Sequence, residues 1–369
     1  MIITCNTSSL NKAIQTVQRA IASKPSTPIF AGIHFITANG KLEIQAMDLN
    51  MAISCTIDAD IQEEGEIVVS AKRFSELIRK LSEENVTITQ NKEQNTIKIE
   101  SGTADFQLLL MNEEDYPKFP EFNGDTSITI GDEEIKELVK KTVFACAKEE
   151  AKPLFTGILV EVADNKITFV GTNTHRLAIK SMPYESSEPM SIIIPYKVLE
   201  EINRNLTGEV PQEVKISLLK NQIMVSIDNV VIVSRLIEGK FPDYRRVVPP
   251  KFSITAKVNV KEMANSVERV SLFSNQGEYS VVKVSVEDGK MTIMSSSPDV
   301  GSGKEIIDCV SEGDKLNVAF NSKYVLDILK NLEAEEAIFS MNTSYSPVCV
   351  TSESEPGYTY IVTPIRVVF

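Results

Sequence analysis

The sequence contains no run that approaches the roughly 18 consecutive apolar residues of a membrane-spanning helix, although 42% of its residues are hydrophobic. The apolar residues are instead spread along the chain, in numbers sufficient for several cores. Because Met1, Ile2 and Ile3 already read as the beginning of a strand, we also expect no signal peptide. Together these features favour a cytoplasmic protein.

Cysteine is scarce and scattered. The cysteines are odd in number and form no Cys-x-x-Cys pair: Cys5, Cys55, Cys146, Cys309 and Cys349. Such spacing argues against a disulfide framework and against a zinc site, and it favours reduced thiols in a cytoplasm.

Residues with catalytic potential are equally few. Of the two histidines, His34 lies in an apolar run and is predicted to be structural, and His175 is the one candidate general base. No G-x-S-x-G or comparable nucleophile motif accompanies His175, and residues 301–304 (GSGK) lack the spacing of a phosphate-binding loop. We expect a protein without catalytic residues, metal or cofactor, and we keep a hydrolase that uses His175 as an alternative.

The net charge of −13 is unfavourable for binding nucleic acid, but the basic residues are unevenly distributed. The first predicted helix, residues 8–22, holds Lys12 and Arg19 and no acidic residue, and the second, residues 72–82, is also predominantly basic. One interpretation is that lysine and arginine simply favour solvated helix faces. The other is that a layer of helices faces a polyanion while the acidic remainder of the chain repels it.

An internal repeat organises the chain. Six strand–helix openings begin at residues 2, 66, 127, 191, 252 and 315, so that successive openings start 61 to 64 residues apart. In the third opening, residues 127–146 (SITIGDEEIKELVKKTVFAC), Gly131 and Asp132 end the strand and begin a helix. Its apolar residues then recur at three- and four-residue steps, which predicts one buried helix face.

The repeat predicts an α+β protein built from six β-α-β-β-β units. After each predicted helix come about three strand-like runs, separated by turn signals such as Asn39-Gly40, Asp164-Asn165 and Asp288-Gly289. Odd-numbered units carry the longer helix, so the true repeat is a pair of units that occurs three times. Proline-rich connectors at residues 116–120 (YPKFP) and 248–251 (VPPK) separate the pairs. We therefore predict three domains, at residues 1–125, 126–250 and 251–369.

Two stretches are unusual for a plain scaffold. Polar residues interrupt a predicted hairpin at residues 172–177 (TNTHRL), and the apolar stretch 360–369 (YIVTPIRVVF) contains Pro364, which cannot donate to a strand ladder. This tail is equally well explained as a buried last strand or as the wall of a groove for a partner peptide.

Five short motifs are distinctive when taken together: residues 28–33 (PIFAGI), 71–74 (AKRF), 171–178 (GTNTHRLA), 238–247 (EGKFPDYRRV) and 363–366 (TPIR). With these motifs the sequence resembles, over essentially its whole length, the bacterial DNA sliding clamps, the β subunit of the replicative DNA polymerase III. The resemblance implies a clamp fold in which two three-domain chains dimerise head to tail into a ring, with helices lining the hole and sheets outside. Such a ring encircles duplex DNA without sequence preference and confers processivity.

The resemblance also implies functional residues. Four are implied to face DNA: Lys24, Arg73, Lys152 and Lys197. Helix position alone adds four more: Lys12, Arg79, Lys80 and Lys141. The family's pocket for a short Gln/Leu/Phe-type partner motif corresponds to a larger set: Lys152, Phe155, Thr172, His175, Arg176, Leu177, Pro242, Arg246, Val247, Ser344, Ser346, Val362, Thr363, Pro364, Ile365 and Arg366. The ring interface corresponds to five residues, the first three meeting the last two: Phe74, Phe106, Leu108, Leu272 and Phe273.

The implied partners are duplex DNA, a second copy of the chain, the DNA polymerase III α subunit, the clamp loader, and other polymerases and repair proteins with clamp-binding peptides. The sequence departs from the family pattern at three places. Thr174 stands where glycine is common, in the run Thr172-Asn173-Thr174; Thr363 stands where methionine is frequent; and residues 367–369 (VVF) follow Arg366. The rival interpretation is a cytosolic β-rich scaffold that binds peptides and does not encircle DNA.

Overall fold

The computed structural model of the chain describes residues 1–22, 24–25, 27–38, 40–120, 126–149, 152–186, 189–208, 210–274 and 280–367. Asn39, the predicted domain end at residue 125 and the last two residues of the tail lie outside the described residues. The chain forms two compact units. The first comprises Met1–Ile135 and Glu201–Leu236, and the second comprises Lys136–Glu200 and Ile237–Phe369. The three domain ranges stay a prediction.

The described residues form six α-helices and six short 3-10 helices. The helices are α1 (Thr7–Val17), α2 (Ala71–Ile78), α3 (Asp132–Thr142), α4 (Tyr196–Asn205), α5 (Val260–Ser271) and α6 (Ser322–Asn331). The 3-10 helices are Gln18–Ala20, Pro28–Ala31, Glu113–Asp115, Val143–Ala145, Pro153–Thr156 and Tyr244–Val247.

Asparagine ends the strand and begins the helix in three of the repeat units. The side chains of Asn6, Asn259 and Asn321 are N-caps of α1, α5 and α6, and each accepts a hydrogen bond from a backbone N–H in the first turn. Such a cap satisfies a donor that the helix itself leaves unpaired. The strand therefore passes directly into the helix without a loop.

The strands follow the predicted repeat. The first three units contain β1 (Ile2–Asn6), β2 (Gly32–Ala38), β3 (Lys41–Met47), β4 (Met51–Asp58), β5 (Asp60–Glu63), β6 (Glu66–Ser70), β7 (Asn85–Asn91), β8 (Thr96–Ser101), β9 (Ala104–Met111), β10 (Thr126–Gly131), β11 (Gly157–Ala163), β12 (Lys166–Thr172) and β13 (Arg176–Pro183). The last three contain β14 (Met190–Pro195), β15 (Glu213–Leu219), β16 (Gln222–Ile227), β17 (Val230–Arg235), β18 (Ile254–Asn259), β19 (Val281–Glu287), β20 (Lys290–Ser297), β21 (Gly301–Asp308), β22 (Val310–Glu312), β23 (Leu316–Asn321), β24 (Glu336–Met341), β25 (Val348–Thr351) and β26 (Tyr358–Val362). Apart from the short strands β5 and β22, this is the β-α-β-β-β unit six times, so the predicted α+β fold is confirmed.

The strands pair antiparallel within each of the two compact units. The first compact unit, which is called the first unit from here on, holds a 13-stranded sheet in the order β10-β15-β16-β17-β4-β3-β2-β6-β9-β8-β7-β1-β5. The second holds a 9-stranded sheet, β14-β11-β12-β13-β26-β25-β24-β18-β22, and a 4-stranded sheet, β21-β20-β19-β23. Two predicted hairpin turns are confirmed. The two central residues of each, Asp164-Asn165 and Asp288-Gly289, have φ between 51° and 73°, and a two-residue type I′ hairpin turn requires positive φ at both positions.

Both basic helices end earlier than predicted. Helix α1 stops at Val17 and continues as a 3-10 turn, and α2 stops at Ile78 rather than at residue 82. In each case the next backbone N–H, of Gln18 or Arg79, is shared between two carbonyls of the last turn. This tightening satisfies carbonyls that a longer α-helix would have bonded in the regular way.

His34 is buried, as predicted for a structural residue. Its ring packs against Tyr116 with the centroids 4.9 Å apart, and its Nε2 lies 3.3 Å from a carboxylate oxygen of Glu66. Burial lowers the pKa of His34, and the neighbouring Glu66 carboxylate only partly opposes this. Among the helices of the described residues, none combines the length and the apolar character needed to cross a bilayer.

Candidate functional site

A groove in the second unit lies between β12, β13 and β26 on one side and the 3-10 helix Tyr244–Val247 on the other. It encloses about 210 Å³. Its walls combine apolar and polar side chains: Phe155, Leu177, Phe241, Pro242, Val247 and Ile361, with Thr172, Thr174, Arg176, Tyr244 and Thr363. This volume lies below the usual range for a small-molecule or cofactor site and suits the side chains of a short peptide.

The structure brings part of the predicted pocket together as walls of this groove: Phe155, Thr172, Arg176, Leu177, Pro242, Val247 and Thr363. Among the described residues, nine predicted members do not line the cavity itself: Lys152, His175, Arg246, Ser344, Ser346, Val362, Pro364, Ile365 and Arg366. Four wall residues were missed: Thr174, Phe241, Tyr244 and Ile361. Thr174, Phe241 and Tyr244 lie inside the motifs 171–178 and 238–247, so the predicted residues beside them could have indicated them. Ile361 lies on the last strand together with the predicted Val362.

The polar interruption at residues 172–177 is a tight turn held by its own side chains. The Thr172 hydroxyl donates to the Arg176 carbonyl at 2.6 Å and accepts from the Thr174 N–H at 3.1 Å. The Asn173 side chain accepts from the N–H groups of His175 and Arg176 at 3.0 and 3.1 Å. These bonds replace strand pairing locally, and they fix the direction in which each side chain leaves the turn.

Arg176 is buried behind the groove rather than exposed in it. Its guanidinium donates to the Asp327 carboxylate and to the Phe144 carbonyl, and it lies 4.6 Å from the centroid of the Tyr324 ring. Asn173 also donates to the Tyr324 hydroxyl, at 3.1 Å. The charge of Arg176 is therefore compensated by α6, and the residue supports the wall that the 172–176 turn forms.

Thr174 is conformationally unusual. Its φ is 78°, a left-handed value that costs a β-branched residue on the order of 1–3 kcal/mol and that persists only where the surroundings impose it. Its hydroxyl accepts from Lys152 Nζ at 3.4 Å. Both residues are exposed, so the pair sits at the mouth of the groove.

Gly171, just before this turn, has no room for a side chain. A Cβ there would lie 2.4 Å from the Thr142 carbonyl oxygen and 2.8 Å from Ile158 Cδ1. Because the first contact is with backbone at the end of α3, the clash cannot be relieved by a rotamer change. Glycine thus allows β12 to approach the helix closely.

The opposite wall is anchored by Tyr244. Its hydroxyl donates to Glu161 Oε2 at 2.8 Å, and Arg245 donates to the same oxygen at 2.8 Å. Burial and the adjacent Glu161 carboxylate both raise the pKa of Tyr244. Arg246, in contrast, is exposed and pairs with Asp243 at 3.0 Å.

The C-terminal stretch combines both interpretations that the sequence left open. Val362 is the buried end of β26 and pairs with Arg176. Beyond it, the Thr363 N–H donates to the His175 carbonyl at 2.9 Å and the Ile365 N–H to the Ala319 carbonyl at 2.7 Å. The tail is thus a buried last strand up to Val362 and a groove wall at Thr363.

Ser344 and Ser346 lie on the loop that also carries the exposed Tyr345. The Arg366 guanidinium lies 5.6 Å from the centroid of the Tyr345 ring, so this loop and the end of the tail meet outside the cavity.

Most of the predicted DNA-facing residues are exposed: Lys12, Lys24, Arg73, Arg79, Lys80, Lys152 and Lys197. Within the described parts of the chain none of these seven forms a salt bridge. Lys141 is a correction, because its side chain is only 1% exposed. Its Nζ donates to the Asn331 carbonyl at 2.6 Å and pairs with the Glu355 carboxylate. Lys141 is therefore a buried structural cation and cannot meet DNA.

Phe74 is a second correction. It was predicted at the ring interface, but it is fully buried and packs edge-on against Phe35, with the ring centroids 5.2 Å apart. Ala71, Phe74 and Ile78 form the inward stripe of α2, so their three- and four-residue spacing places Phe74 in the core.

Two strand edges carry the other predicted interface residues. In the first unit, residues 104–109 of β9 pair with β8, and only Leu110 and Met111 pair with β6. Along residues 104–109 the second edge has no partner strand among the described residues, and Phe106, Leu108 and Leu109 lie there. Phe106 is 38% and Leu109 74% exposed.

In the second unit, β21 pairs with β20 and has no second partner strand within the described ranges. Next to it Leu272 is 73% exposed, and on β21 itself Ile306 is 57% exposed. Phe273 lies across β21, where a Cβ on Gly303 would approach its ring to 2.7 Å. Two hydrogen bonds from Arg269 hold the pKa of Glu305, on the same strand, at about 2.

Comparison with known proteins places these features in a family. Models of the DNA polymerase III β subunit match its N-terminal domain to residues 1–120, its central domain to 129–243 and its C-terminal domain to 245–366. The β sliding clamp of Chlamydia muridarum is 30% identical over 359 residues, which cover 97% of this chain and 96% of the relative.

Solved structures agree. The DNA polymerase sliding clamp from Bacillus subtilis is 29% identical with a TM-score of 0.95, and the sliding clamp from Bartonella birtlesii, crystallised bound to griselimycin, is 28% identical with a TM-score of 0.93. Both comparisons cover 100% of each chain. The chain therefore belongs to the family of bacterial DNA sliding clamps, the β subunit of DNA polymerase III.

Proposed function

We propose that two copies of this DNA sliding clamp close head to tail into a ring around duplex DNA and tether a polymerase to it. The observation that carries the proposal is the match of all three clamp domains, in chain order, over nearly the whole chain. A topological clamp needs every segment of its ring. We also propose a cytoplasmic location and a non-catalytic role as a processivity factor.

The ring is tested by the topology of the DNA. The clamp is assembled on a nicked circular plasmid with a clamp loader, the complex is isolated by gel filtration, and half of it is linearised with a restriction enzyme. We expect the protein to remain on the circle and to leave the linear molecule through its ends. Equal retention on both forms would contradict the ring, and absence of the protein from both forms would favour the rival peptide-binding scaffold.

The exposed basic residues support a contact with DNA that is blind to sequence. Lys12, Arg73, Arg79 and Lys80 lie on or next to α1 and α2, and none is neutralised by a salt bridge within the described ranges. Lysine and arginine bind phosphates at any sequence, and each contact releases counterions. Weak contacts of this kind would permit sliding, while the closed ring prevents dissociation.

Replacing Arg73, Arg79 and Lys80 together by alanine should weaken binding to a short linear duplex and flatten its salt dependence. The slope of log K against log salt concentration should fall by about 0.9 for each phosphate contact that is lost. Fluorescence anisotropy at several salt concentrations measures the slope. Lys92→Ala removes an exposed lysine at the start of the β7–β8 turn and serves as the matched control. An unchanged slope in the triple variant would remove these residues from the DNA contact.

The open edges of β9 and β21 support the dimer. Both present unpaired backbone groups together with exposed apolar side chains, which is the usual template for pairing with another chain. The edges differ in sequence, so the contact joins β9 of one copy to β21 of the other, as a head-to-tail arrangement requires. We propose Phe106, Leu108, Leu272 and Phe273 as interface residues and add Leu109 and Ile306.

The groove supports the tethering role. Its apolar walls would take side chains of a short extended peptide, and its hydroxyl groups would bind the peptide backbone. We propose that the DNA polymerase III α subunit, the clamp loader and other polymerases and repair proteins present such peptides. His175 then belongs to the groove rim, where its carbonyl holds the tail, and the hydrolase alternative gains no further support.

A further inference from the structure

We propose that His34 makes the connector 116–120 (YPKFP) sensitive to acid, so that protonation of its imidazole releases the connector from the joint between the first two clamp domains. That joint is the pairing of β4 with β17, which runs over five residues of each strand. Strand β4 lies in the part of the chain that matches the N-terminal clamp domain, and β17 lies in the part that matches the central domain. The inference depends neither on the ring nor on the peptide groove.

The connector covers this joint. Pro117 and Pro120 exclude it from helix and central strand, and residues 117–120 cross the surface without regular structure. Tyr116 is buried and Phe119 is half-buried. Both pack in one apolar cluster with side chains from the two sides of the joint: Ile29, Phe30, Met47, Ala52, Val68, Met111, Met224, Val231 and Val233. Release of the connector would therefore uncover side chains of both domains.

A polar cluster lies beneath the connector. His34 and its cross-strand partner Gln45 are 8% and 4% exposed, and the Tyr116 ring packs on the His34 ring. Among the described residues, His34 Nδ1, Gln45 Oε1 and the Tyr116 hydroxyl have no hydrogen-bond partner. A buried polar group without a partner costs about 1–3 kcal/mol. The connector is thus held over His34 by apolar packing, and hydrogen bonds from this cluster add nothing to its hold.

The charged groups that act on His34 come from two strands. Glu66 on β6 lies 3.3 Å from Nε2, and Glu43 on β3 also favours the imidazolium. Glu113, in the 3-10 helix that precedes the connector, acts on Glu66 in turn. The connector itself contributes Tyr116, which stays neutral because burial raises its pKa. Burial of the imidazole outweighs both carboxylates, so the pKa of His34 lies below its ordinary value.

The direction of the effect follows from this difference. Protonation makes both ring nitrogens donors, and Nδ1 then has no acceptor within the described residues. When the connector lifts, water solvates the ring, and the pKa of His34 returns to about 6.5. The released form therefore binds the proton more tightly than the closed form. Release should become more favourable below about pH 6.5, by up to about tenfold per pH unit, until the closed form is protonated as well.

Trypsin measures the release, because Lys118 is exposed but cleavage after it requires the connector to leave the sheet. When opening and closing are fast, the cleavage rate follows the open population. The rate at Lys118 in the full chain is followed by mass spectrometry between about pH 7.5 and pH 5, on either side of the ordinary pKa of histidine. At each pH it is divided by the rate for a free peptide of residues 113–120 (EEDYPKFP). We expect this ratio to rise below about pH 6.5 in the wild type, and to lose the rise in His34→Leu and in His34→Gln, neither of which titrates.

His175→Gln is the matched control, because the chain has only two histidines and His175 is exposed; it should keep the wild-type rise. Lys220, exposed in the β15–β16 turn, is the internal reference, and an equal rise there would show general loosening in acid and overturn the inference. A ratio that does not change with pH in the wild type would overturn it too, as would a rise that survives in both His34 variants. An NMR titration should also place the pKa of His34 below about 6.5, and a higher value would contradict the mechanism.

Discussion

Replacing Leu272 and Ile306 together by glutamate should convert the dimer into monomers. Both side chains are largely exposed, so the substitutions cost the fold little. In the proposed dimer, each would place an unpaired carboxylate in an apolar contact. That costs about 3 kcal/mol, or roughly a hundredfold in the dissociation constant, for each substituted residue. Analytical ultracentrifugation at micromolar concentration measures the result, and the variant should also fail to remain on a nicked circle.

The choice of residues follows from the structure. Phe273 was an obvious target from sequence, but its ring covers Gly303, so a charge there would disturb the fold as well as the interface. Leu49→Glu is the matched control, because Leu49 is 60% exposed and lies on the β3–β4 turn, which β2 and β6 separate from β9 in the order of the sheet. The peptide affinity of the double variant should stay at the wild-type value. A double variant that remains dimeric would rule out the proposed interface.

Arg176→Met should cause a large loss of stability. The substitution preserves much of the side-chain volume but leaves Asp327 without its cation and the Phe144 carbonyl without its donor. Breaking a buried ion pair by removing one partner typically costs about 3–5 kcal/mol, because the remaining charge is uncompensated. Urea unfolding followed by circular dichroism measures the loss, and peptide binding should weaken because the 172–176 turn loses its support.

Arg246→Met provides the comparison at an exposed arginine beside the groove. Its partner Asp243 is three residues away and the Arg246 side chain is 86% exposed, so the loss should not exceed about 0.5 kcal/mol. The double variant Arg176→Met with Asp327→Leu should be more stable than Arg176→Met alone, since no charge is then left behind. Equal losses for Arg176→Met and Arg246→Met would contradict the buried role of Arg176.

The repeat made most of the fold predictable. Residues 166–169 (KITF) and 290–293 (KMTI) alternate polar and apolar side chains directly after strong turn signals, so the strand, the turn and the register can be predicted from neighbouring residues. The N-cap asparagines add a local start signal for three helices. The strand and turn signals depend on residues that are close in sequence, which is why single-sequence patterns identified them; the asparagine caps are equally local but were not among the predictions.

The corrected residues depend on contacts that are distant in sequence. Lys141 adjoins Lys140 and looks equally solvated, but its partners Asn331 and Glu355 lie about two hundred residues further on. The helical periodicity of the sequence does not distinguish such a buried cation from an exposed one. Arg176 was predicted in the groove on resemblance, and only its distant partner Asp327 shows that its charge is already used. The left-handed φ of Thr174 was equally hidden, because nothing in a threonine signals it.

The two open strand edges have a consequence for assembly beyond the dimer. Because β9 and β21 differ, the proposed contact is directional, and a directional contact is not self-limiting. Assembly stops at two copies only if the curvature of each chain brings the free edge of the second copy back to the free edge of the first. With the same edges and a slightly different bend, subunits would add without end and give helical filaments. Substitutions that alter curvature, far from either edge, are therefore the ones that would turn this clamp into a polymer.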